Sequence, residues 1–169
     1  TDHAPTIMAS VVKQPCTPPG ANDQETYNLD LSALQRKLTK LTDPNLLPQV
    51  VIPVHFGGNP VDSERLSSLA TKYGFKILED ASHALGSANA NELVGQCKFS
   101  DAAVFSFHPV KPLTSGEGGV ITTNSEHLYK NFCQLRSHGI VRNPKESPDG
   151  LPFDLDYEQI QMGWNYRLS

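Results

Sequence analysis

The fold is decided by residues 50–78, which read VVIPVHFGGNPVDSERLSSLATKYGFKIL. The first five of these residues form a short β-branched run that is typical of a strand buried on both faces. A helix pattern follows, with Asp62 as its N-cap, Gly74 as its C-cap and apolar residues at helical spacing, namely Leu66, Leu69, Ala70 and Tyr73. A second apolar run, residues 75–78, comes next. Because a strand–helix–strand unit of this kind needs a parallel crossover, the stretch predicts an α/β fold.

The pattern continues on both sides of this stretch. Upstream, Asp30 caps a predicted amphipathic helix whose leucines have helical spacing, namely Leu31, Leu34, Leu38 and Leu41. Downstream, residues 102–107 and 120–123 are predicted strands. A last helix is expected over residues 125–137, packed through Leu128, Phe132 and Leu135 and ended by Gly139. Residues 1–26 are rich in proline and show neither helical nor strand periodicity in their apolar residues. We therefore expect an irregular segment there, followed by one domain over residues 27–169.

Composition excludes several classes of protein. The 169 residues carry a net charge of −4, and 38% of them are hydrophobic, which is ordinary for a globular protein and argues against nucleic acid as a partner. No apolar run is long enough to cross a membrane, and no signal peptide is visible. Three dispersed cysteines predict neither disulfides nor a zinc site, so a cytoplasmic location is expected. The chain lacks an initiator methionine, and we expect it to be a piece of a longer protein.

Candidate functional residues follow three of the predicted strands. They are HFGG (residues 55–58) after the first strand, Asp80 and His83 after the second, and Ser106 to Lys111 at the end of the third. Ligands of open α/β sheets bind outside the carboxyl ends of the strands. If these strands are neighbours, the side chains converge at one edge of the sheet.

Each residue alone also has an ordinary interpretation. Lys111 lies in FHPVKP (residues 107–112), where prolines stiffen the loop and apolar neighbours favour the neutral amine that attacks carbonyl groups; an ordinary surface lysine is the alternative. Asp80 is a candidate helix cap, ion-pair partner or counter-ion of a cofactor. His83 and Ser106 are equally compatible with structural roles.

Two further patterns are less specific. The segment TSGEGG (residues 114–119) needs positive φ or a close approach at its glycines, but it lacks the spacing of a P-loop or dinucleotide fingerprint. His55, His83, His108 and Asp80 could form a metallohydrolase site, although none of them has the spacing of a helical ligand pair.

Together, a lysine, an acid on a neighbouring strand and a hydroxyl for a phosphate are what a pyridoxal phosphate enzyme requires. The lysine would hold the cofactor as a Schiff base, and the acid would keep the pyridine nitrogen protonated.

Longer motifs strengthen this interpretation. The segments VIPVHFGG (51–58), EDASHALG (79–86) and FSFHPVKP (105–112) resemble the DegT-type sugar-nucleotide aminotransferases. The segments EGG (117–119), LRSHG (135–139) and NYRL (165–168) continue the resemblance in the same order. It implies part of the large domain of the fold-type I pyridoxal-phosphate architecture, with a mostly parallel sheet.

The resemblance also implies roles for individual residues. Lys111 would be the Schiff-base lysine and general base, Asp80 the partner of the pyridinium nitrogen, and His83 the partner of the cofactor's phenolic oxygen. Ser106 would bind the cofactor phosphate. Asn165 would reach the phosphate of a neighbouring subunit, which implies a homodimer.

The residues of these motifs are most similar to those of the family branch that acts in pseudaminic acid synthesis. This implies transamination of a UDP-4-keto-6-deoxy-amino sugar with glutamate as donor. The family's N-terminal cofactor-stacking segment and its small C-terminal domain have no counterpart in the sequence. We therefore expect weak cofactor binding by this chain alone. A non-catalytic chain of the same ancestry, which binds a sugar nucleotide or a partner, is the alternative.

Overall fold

The computed structural model describes residues 23–90, 92–142 and 157–166. Its helices are α1 (Leu31–Lys40), α2 (Ser63–Tyr73) and α3 (Glu126–Arg136). Its strands are β1 (Val50–Val51), β2 (Lys76–Asp80), β3 (Ala88–Asn89), β4 (Glu92–Leu93), β5 (Ala102–Ser106), β6 (Gly119–Thr122), β7 (Ile140–Arg142) and β8 (Tyr157–Gln159). The chain divides into two compact units after Asn124. The irregular segment expected over residues 1–26 lies almost wholly outside the described residues.

The four main strands form one sheet in the order β1-β2-β5-β6. The β1–β2 and β2–β5 pairs are parallel, as the α/β prediction requires, whereas β5 and β6 run antiparallel. A small separate hairpin joins β3 and β4. The predicted class, an α/β fold with a mostly parallel sheet and flanking helices, is therefore confirmed.

Helix α1 begins, and helix α2 both begins and ends, where the sequence predicts; Leu41, the last leucine of the α1 pattern, is the C-cap of that helix. The Asp30 carboxylate accepts hydrogen bonds from the N–H groups of Ser32 and Ala33, and Asp62 accepts one from Arg65. Gly74 ends α2 with a φ of 80°, a left-handed conformation that glycine adopts without strain. The apolar faces of both helices pack on β1 and β2 in one core, which contains Leu31, Leu34, Leu38, Val51, Leu66, Leu69 and Ile77.

The first strand is shorter than predicted. Residues 50–54 were expected to form a strand, but regular pairing stops after Val51 and resumes only as a single bridge between Val54 and Asp80. Pro53 lies between them, and a proline has no N–H to donate to a sheet. Its carbonyl still accepts a hydrogen bond from the N–H of Asp80 at 2.8 Å. Pro53 therefore shortens the regular pairing between β1 and β2, but the two segments remain hydrogen-bonded side by side.

An acidic turn precedes α1. Asp23 accepts hydrogen bonds from the backbone N–H groups of Thr26 and Glu25 and from the Thr26 hydroxyl. These bonds, with that of the Thr26 N–H the most important, hold the pKa of Asp23 below its ordinary value. The turn fixes the chain just before Asn28, whose carbonyl accepts a hydrogen bond from the Asp23 N–H.

The second unit contains α3 and the antiparallel pair β7–β8. Ser125 caps α3, and the predicted packing residues Leu128, Phe132 and Leu135 are half-buried. The prediction that Gly139 is the C-cap is wrong, because the last helical residue is Arg136 and the C-cap is Ser137. Both His138 and Gly139 then adopt positive φ, and the Gly139 N–H donates to the carbonyl of Gln134. Among the described residues, no helix is long and apolar enough to cross a bilayer.

Candidate active site

The carboxyl ends of β1, β2 and β5 meet at one edge of the sheet, as the sequence predicts. Asp80 is the last residue of β2 and lies between two neighbours. It forms a bridge with Val54 on one side and is in register with Val104 of β5 on the other. The segments that carry the candidate residues therefore leave adjacent strands at this edge.

Asp80 and Ser106 lie on the same face of the sheet. Asp80 is opposite Val104, and Ser106 follows Val104 by two residues, so the alternation of a strand places all three side chains on one side. This face is half-buried, whereas the opposite face carries fully buried side chains, including Glu79, Ala103 and Phe105. The more accessible face of the sheet edge thus presents a carboxylate and a hydroxyl.

The Asp80 carboxylate is only partly used within the protein. Its Oδ1 atom accepts a hydrogen bond from the N–H of Ser82 at 3.1 Å. Within the part of the chain that the structure describes, its second oxygen has no hydrogen-bond partner, and Asp80 forms no ion pair. One oxygen is therefore held in position, and the other is available to a ligand.

His83 lies on the exposed turn that follows Asp80. Its ring contacts the ring of Phe56 edge-on, with centroids 6.4 Å apart and planes inclined by 71°. Among the described residues, neither ring nitrogen is hydrogen-bonded. A ligand at this edge would find both nitrogens free.

Lys111 lies on the loop that connects β5 to β6. The loop is closed at its base, since the Phe107 N–H donates to the Gly118 carbonyl and the Phe107 carbonyl accepts from the Ser115 N–H and the Thr114 hydroxyl. The Lys111 N–H donates to the carbonyl of His108 at 2.9 Å. The Lys111 side chain is half-buried and has no ion-pair partner among the described residues. The loop thus presents a lysine without a counter-ion, close in sequence to Ser106.

Glycine is required on the same loop, as the sequence predicts. Gly116 and Gly118 have φ values of 85° and 126°. Gly119 meets the second condition, a close approach, because a Cβ atom there would lie 2.5 Å from the carbonyl oxygen of Phe105. The return of the chain into β6 therefore has no room for a side chain at Gly119.

Comparison with known proteins identifies the family. The sequence profile of the DegT/DnrJ/EryC1/StrS aminotransferase family matches residues 16–169, nearly the whole chain. The chain belongs to this aminotransferase family. It is 41% identical over 143 residues to the UDP-4-amino-4,6-dideoxy-N-acetyl-beta-L-altrosamine transaminase of Campylobacter jejuni subsp. jejuni serotype O:23/36 (strain 81-176), covering 84% of this chain and 34% of that protein.

Solved structures agree with this assignment. Helicobacter pylori PseC, an aminotransferase involved in the biosynthesis of pseudoaminic acid, aligns with a TM-score of 0.73 and 32% identity, over 90% of this chain and 36% of PseC. The S. venezuelae DesV structure, in complex with a ketimine intermediate, aligns with a TM-score of 0.68 and 27% identity, over 87% and 34% of the two chains. The chain thus spans about a third of the length of the relatives it matches.

One of the predicted site residues, Asn165, lies outside the first unit. Asn165 lies in the second unit, where it is exposed and forms an antiparallel bridge with Ser137. Apolar side chains alternate along the same extended segment and are all more than half exposed: Ile160, Met162, Trp164 and Tyr166. Trp164 and Tyr166 stack with centroids 5.9 Å apart.

His55 differs from its predicted placement at the accessible edge. Its side chain is completely buried, and Nδ1 accepts a hydrogen bond from the Val61 N–H at 3.0 Å. Glu79, whose burial no sequence pattern indicates, is its buried neighbour. Among the described residues, no group of three His, Cys, Asp or Glu side chains could hold a metal ion, so the metallohydrolase interpretation gains no support.

Proposed function

We propose that this chain supplies the cofactor-holding part of a pyridoxal-phosphate-dependent sugar-nucleotide aminotransferase. The observation that carries the proposal is the placement of Asp80 and Ser106 on one face of adjacent strand ends, with Lys111 on the loop that follows Ser106. The family match over residues 16–169 supports it. It does not favour the alternative, a chain that only binds a sugar nucleotide or a partner.

The donor set of the site fits pyridoxal 5′-phosphate. When bound, this cofactor supplies an electron-accepting ring that carries an amino group from donor to acceptor. The free oxygen of Asp80 suits a protonated ring nitrogen, and the free ring nitrogens of His83 suit the phenolic oxygen. The Ser106 hydroxyl is suited to the phosphate. Lys111 would hold the cofactor covalently through Nζ and move the proton between donor, acceptor and cofactor carbons.

The substrate is inferred from the relatives. The similarity to UDP-4-amino-4,6-dideoxy-N-acetyl-beta-L-altrosamine transaminases supports a UDP-4-keto-6-deoxy-amino sugar as amino acceptor, as in pseudaminic acid synthesis. Glutamate is the proposed amino donor. We also propose a cytoplasmic location and no nucleic-acid or membrane partner. The net charge of −4 argues against nucleic acid.

The proposed organisation is an irregular segment over residues 1–26 and a partial cofactor-binding large domain over residues 27–169. We further propose a homodimer in which Asn165 contacts the cofactor phosphate of the other subunit. The exposed apolar strip that flanks Asn165 supports this proposal, since contiguous exposed apolar side chains mark interaction surfaces.

The test is covalent trapping of the cofactor. Borohydride reduction after addition of pyridoxal phosphate, followed by peptide mapping, should label Lys111 and no other lysine. The Lys111→Ala variant should lose both the label and the visible absorption band. Lys98→Ala is the matched control, because this exposed lysine lies over the Phe99 ring and outside the site, and it should retain both. A label on another lysine, or a colourless chain that still binds a UDP-sugar, would overturn the assignment.

A further inference from the structure

A buried asparagine holds the turn that follows β1. Asn28 is 5% exposed, and its side chain spans the turn over residues 56–59. Its Oδ1 atom accepts a hydrogen bond from the Phe56 N–H at 2.9 Å, and its Nδ2 atom donates to the Asn59 carbonyl at 2.9 Å. Both ends of the turn are thus fixed to one side chain that is distant in sequence. Buried polar groups with two satisfied hydrogen bonds make such a connection rigid.

The turn holds the Phe56 ring against His83. Phe56 lies between two rings, with its centroid 6.1 Å from that of Tyr27 and 6.4 Å from that of His83. The backbones are also close, because a Cβ atom on Gly58 would lie 3.0 Å from the His83 carbonyl oxygen. The turn and the His83 segment therefore pack on each other through both backbone and side chain.

The Phe56 ring contributes little to the core. It is 51% exposed, and Tyr27 is 62% exposed. Neither belongs to the buried clusters of the first unit. The two hydrogen bonds of Asn28 thus fix the backbone of a turn whose aromatic ring remains half in solvent. Of the two rings that it contacts, that of His83 has a role in the proposed site.

We propose that Phe56 is a positioning residue that sets the side-chain rotamer of His83 and that Asn28 acts by holding Phe56. This inference rests on the proposed function, which assigns His83 to the phenolic oxygen of the cofactor. Since the His83 ring is exposed and has no hydrogen-bond partner within the described residues, the edge-on contact with Phe56 selects its rotamer. Edge-to-face ring pairs of this separation change a conformer ratio by about two- to tenfold.

The first test reads the His83 rotamer and requires no cofactor. In a chain with isotope-labelled histidine, three-bond couplings to His83 Cγ report its χ1 angle. We expect one dominant rotamer in the wild type and in Phe56→Tyr, which keeps the ring. In Phe56→Leu the rotamer ratio should fall by about two- to tenfold. Phe99→Leu is the matched control and should leave the couplings unchanged. Unchanged couplings in Phe56→Leu would overturn the proposal.

The role of Asn28 is tested separately. Asn28→Asp keeps the acceptor for the Phe56 N–H and loses the donor to Asn59, whereas Asn28→Ala loses both. If Asn28→Ala unfolds the chain, Asn28→Asp provides the reading. We expect averaging of the His83 rotamer in the folded variants, and wild-type couplings in them would overturn the contribution of Asn28.

The cofactor provides a second readout. In Phe56→Leu, we expect the visible band of bound pyridoxal phosphate to shift while Lys111 remains labelled, and Phe56→Tyr should restore it. An unshifted band would show that the ring contact does not reach the cofactor and would overturn the positioning role. Failure of the wild type to take up the cofactor would count against the proposed function alone, because the rotamer measurement still decides this inference.

Discussion

The Nε2 atom of His55 lies 3.7 Å from Oε1 of Glu79, and both side chains are buried. Since His55 Nδ1 accepts a hydrogen bond from the Val61 N–H, Nε2 is the ring nitrogen that faces the carboxylate, at a distance too long for a hydrogen bond. The Ser63 hydroxyl donates to the same carboxylate oxygen at 2.9 Å. Glu79 precedes Asp80, and the His55 N–H donates to the Asp80 carbonyl. The buried pair therefore supports the strand end that presents Asp80 to the site.

Removal of this carboxylate should destabilise the chain. For Glu79→Ala we expect a loss of about 2 kcal/mol in the free energy of unfolding, because the buried Ser63 hydroxyl loses the carboxylate to which it donates. Glu79→Gln should lose less, since it keeps an acceptor for Ser63. Urea denaturation measures both. Glu126→Ala is the control, because its exposed pair with Lys130 is worth at most about 0.5 kcal/mol. A loss below about 1 kcal/mol in Glu79→Ala would contradict a stabilising role for the buried hydrogen bond between Ser63 and Glu79.

Adjacent glycines after β1 should respond differently to alanine. Both have positive φ, 59° at Gly57 and 84° at Gly58, so either substitution should cost about 1–2 kcal/mol of backbone strain. A Cβ atom at Gly57 meets nothing within 4 Å, whereas one at Gly58 lies 3.0 Å from the His83 carbonyl oxygen. Gly58→Ala should therefore be the more destabilising substitution by about 1 kcal/mol in thermal or urea unfolding. Equal losses would show that the turn and the His83 segment do not pack closely.

The elements that the sequence predicts well are those whose signals are local. The caps of α1 and α2 can be read from the chain because Asp30, Asp62 and Gly74 act on backbone groups within four residues. The meeting of the strand ends follows from the parallel crossover. Gly139 failed as a C-cap signal because a left-handed glycine is equally suited to a turn beyond the C-cap, here three residues after the last helical residue, Arg136.

The features that the sequence does not reveal depend on distant contacts. In the sequence, Glu79 is indistinguishable in kind from the neighbouring acid Asp80. Only the packing of β2 against the HFGG turn shows that Glu79 is buried beside His55. The antiparallel direction of β6 has no local signal either, because its residues would suit a parallel strand equally well. Asn28 contacts a turn 28–31 residues away, which no periodicity indicates.

The return of the loop into β6 should be sensitive to a single methyl group. A Cβ atom at Gly119 would lie 2.5 Å from the Phe105 carbonyl oxygen, which is backbone and cannot rotate away. For Gly119→Ala we expect a loss of about 2 kcal/mol and faster hydrogen exchange of the Phe107 N–H, which bonds to Gly118 at the base of the loop. A Cβ atom at Gly116 would meet nothing within 4 Å, so Gly116→Ala should lose only about 1 kcal/mol, from the backbone strain of its φ of 85°. Wild-type exchange at Phe107 in Gly119→Ala would show that the loop base tolerates the added group.

The charge of Asp80 should determine cofactor affinity more than it determines folding. Asp80→Asn keeps an oxygen for the Ser82 N–H, so the free energy of unfolding should change by less than about 1 kcal/mol. A hydrogen bond to a charged group contributes about 1.5–3 kcal/mol, so the dissociation constant for pyridoxal phosphate should rise about 10- to 100-fold in an absorption titration. The matched control is Asp101→Asn. Asp101 also accepts a backbone N–H, that of Ile77, but it pairs with Lys76 at the opposite end of β2. Loss of the Asp101 charge should leave the affinity for pyridoxal phosphate unchanged. If both variants bind the cofactor as tightly as the wild type, the Asp80 carboxylate does not face the ring nitrogen. If both weaken binding equally, the effect comes from the sheet as a whole rather than from the site.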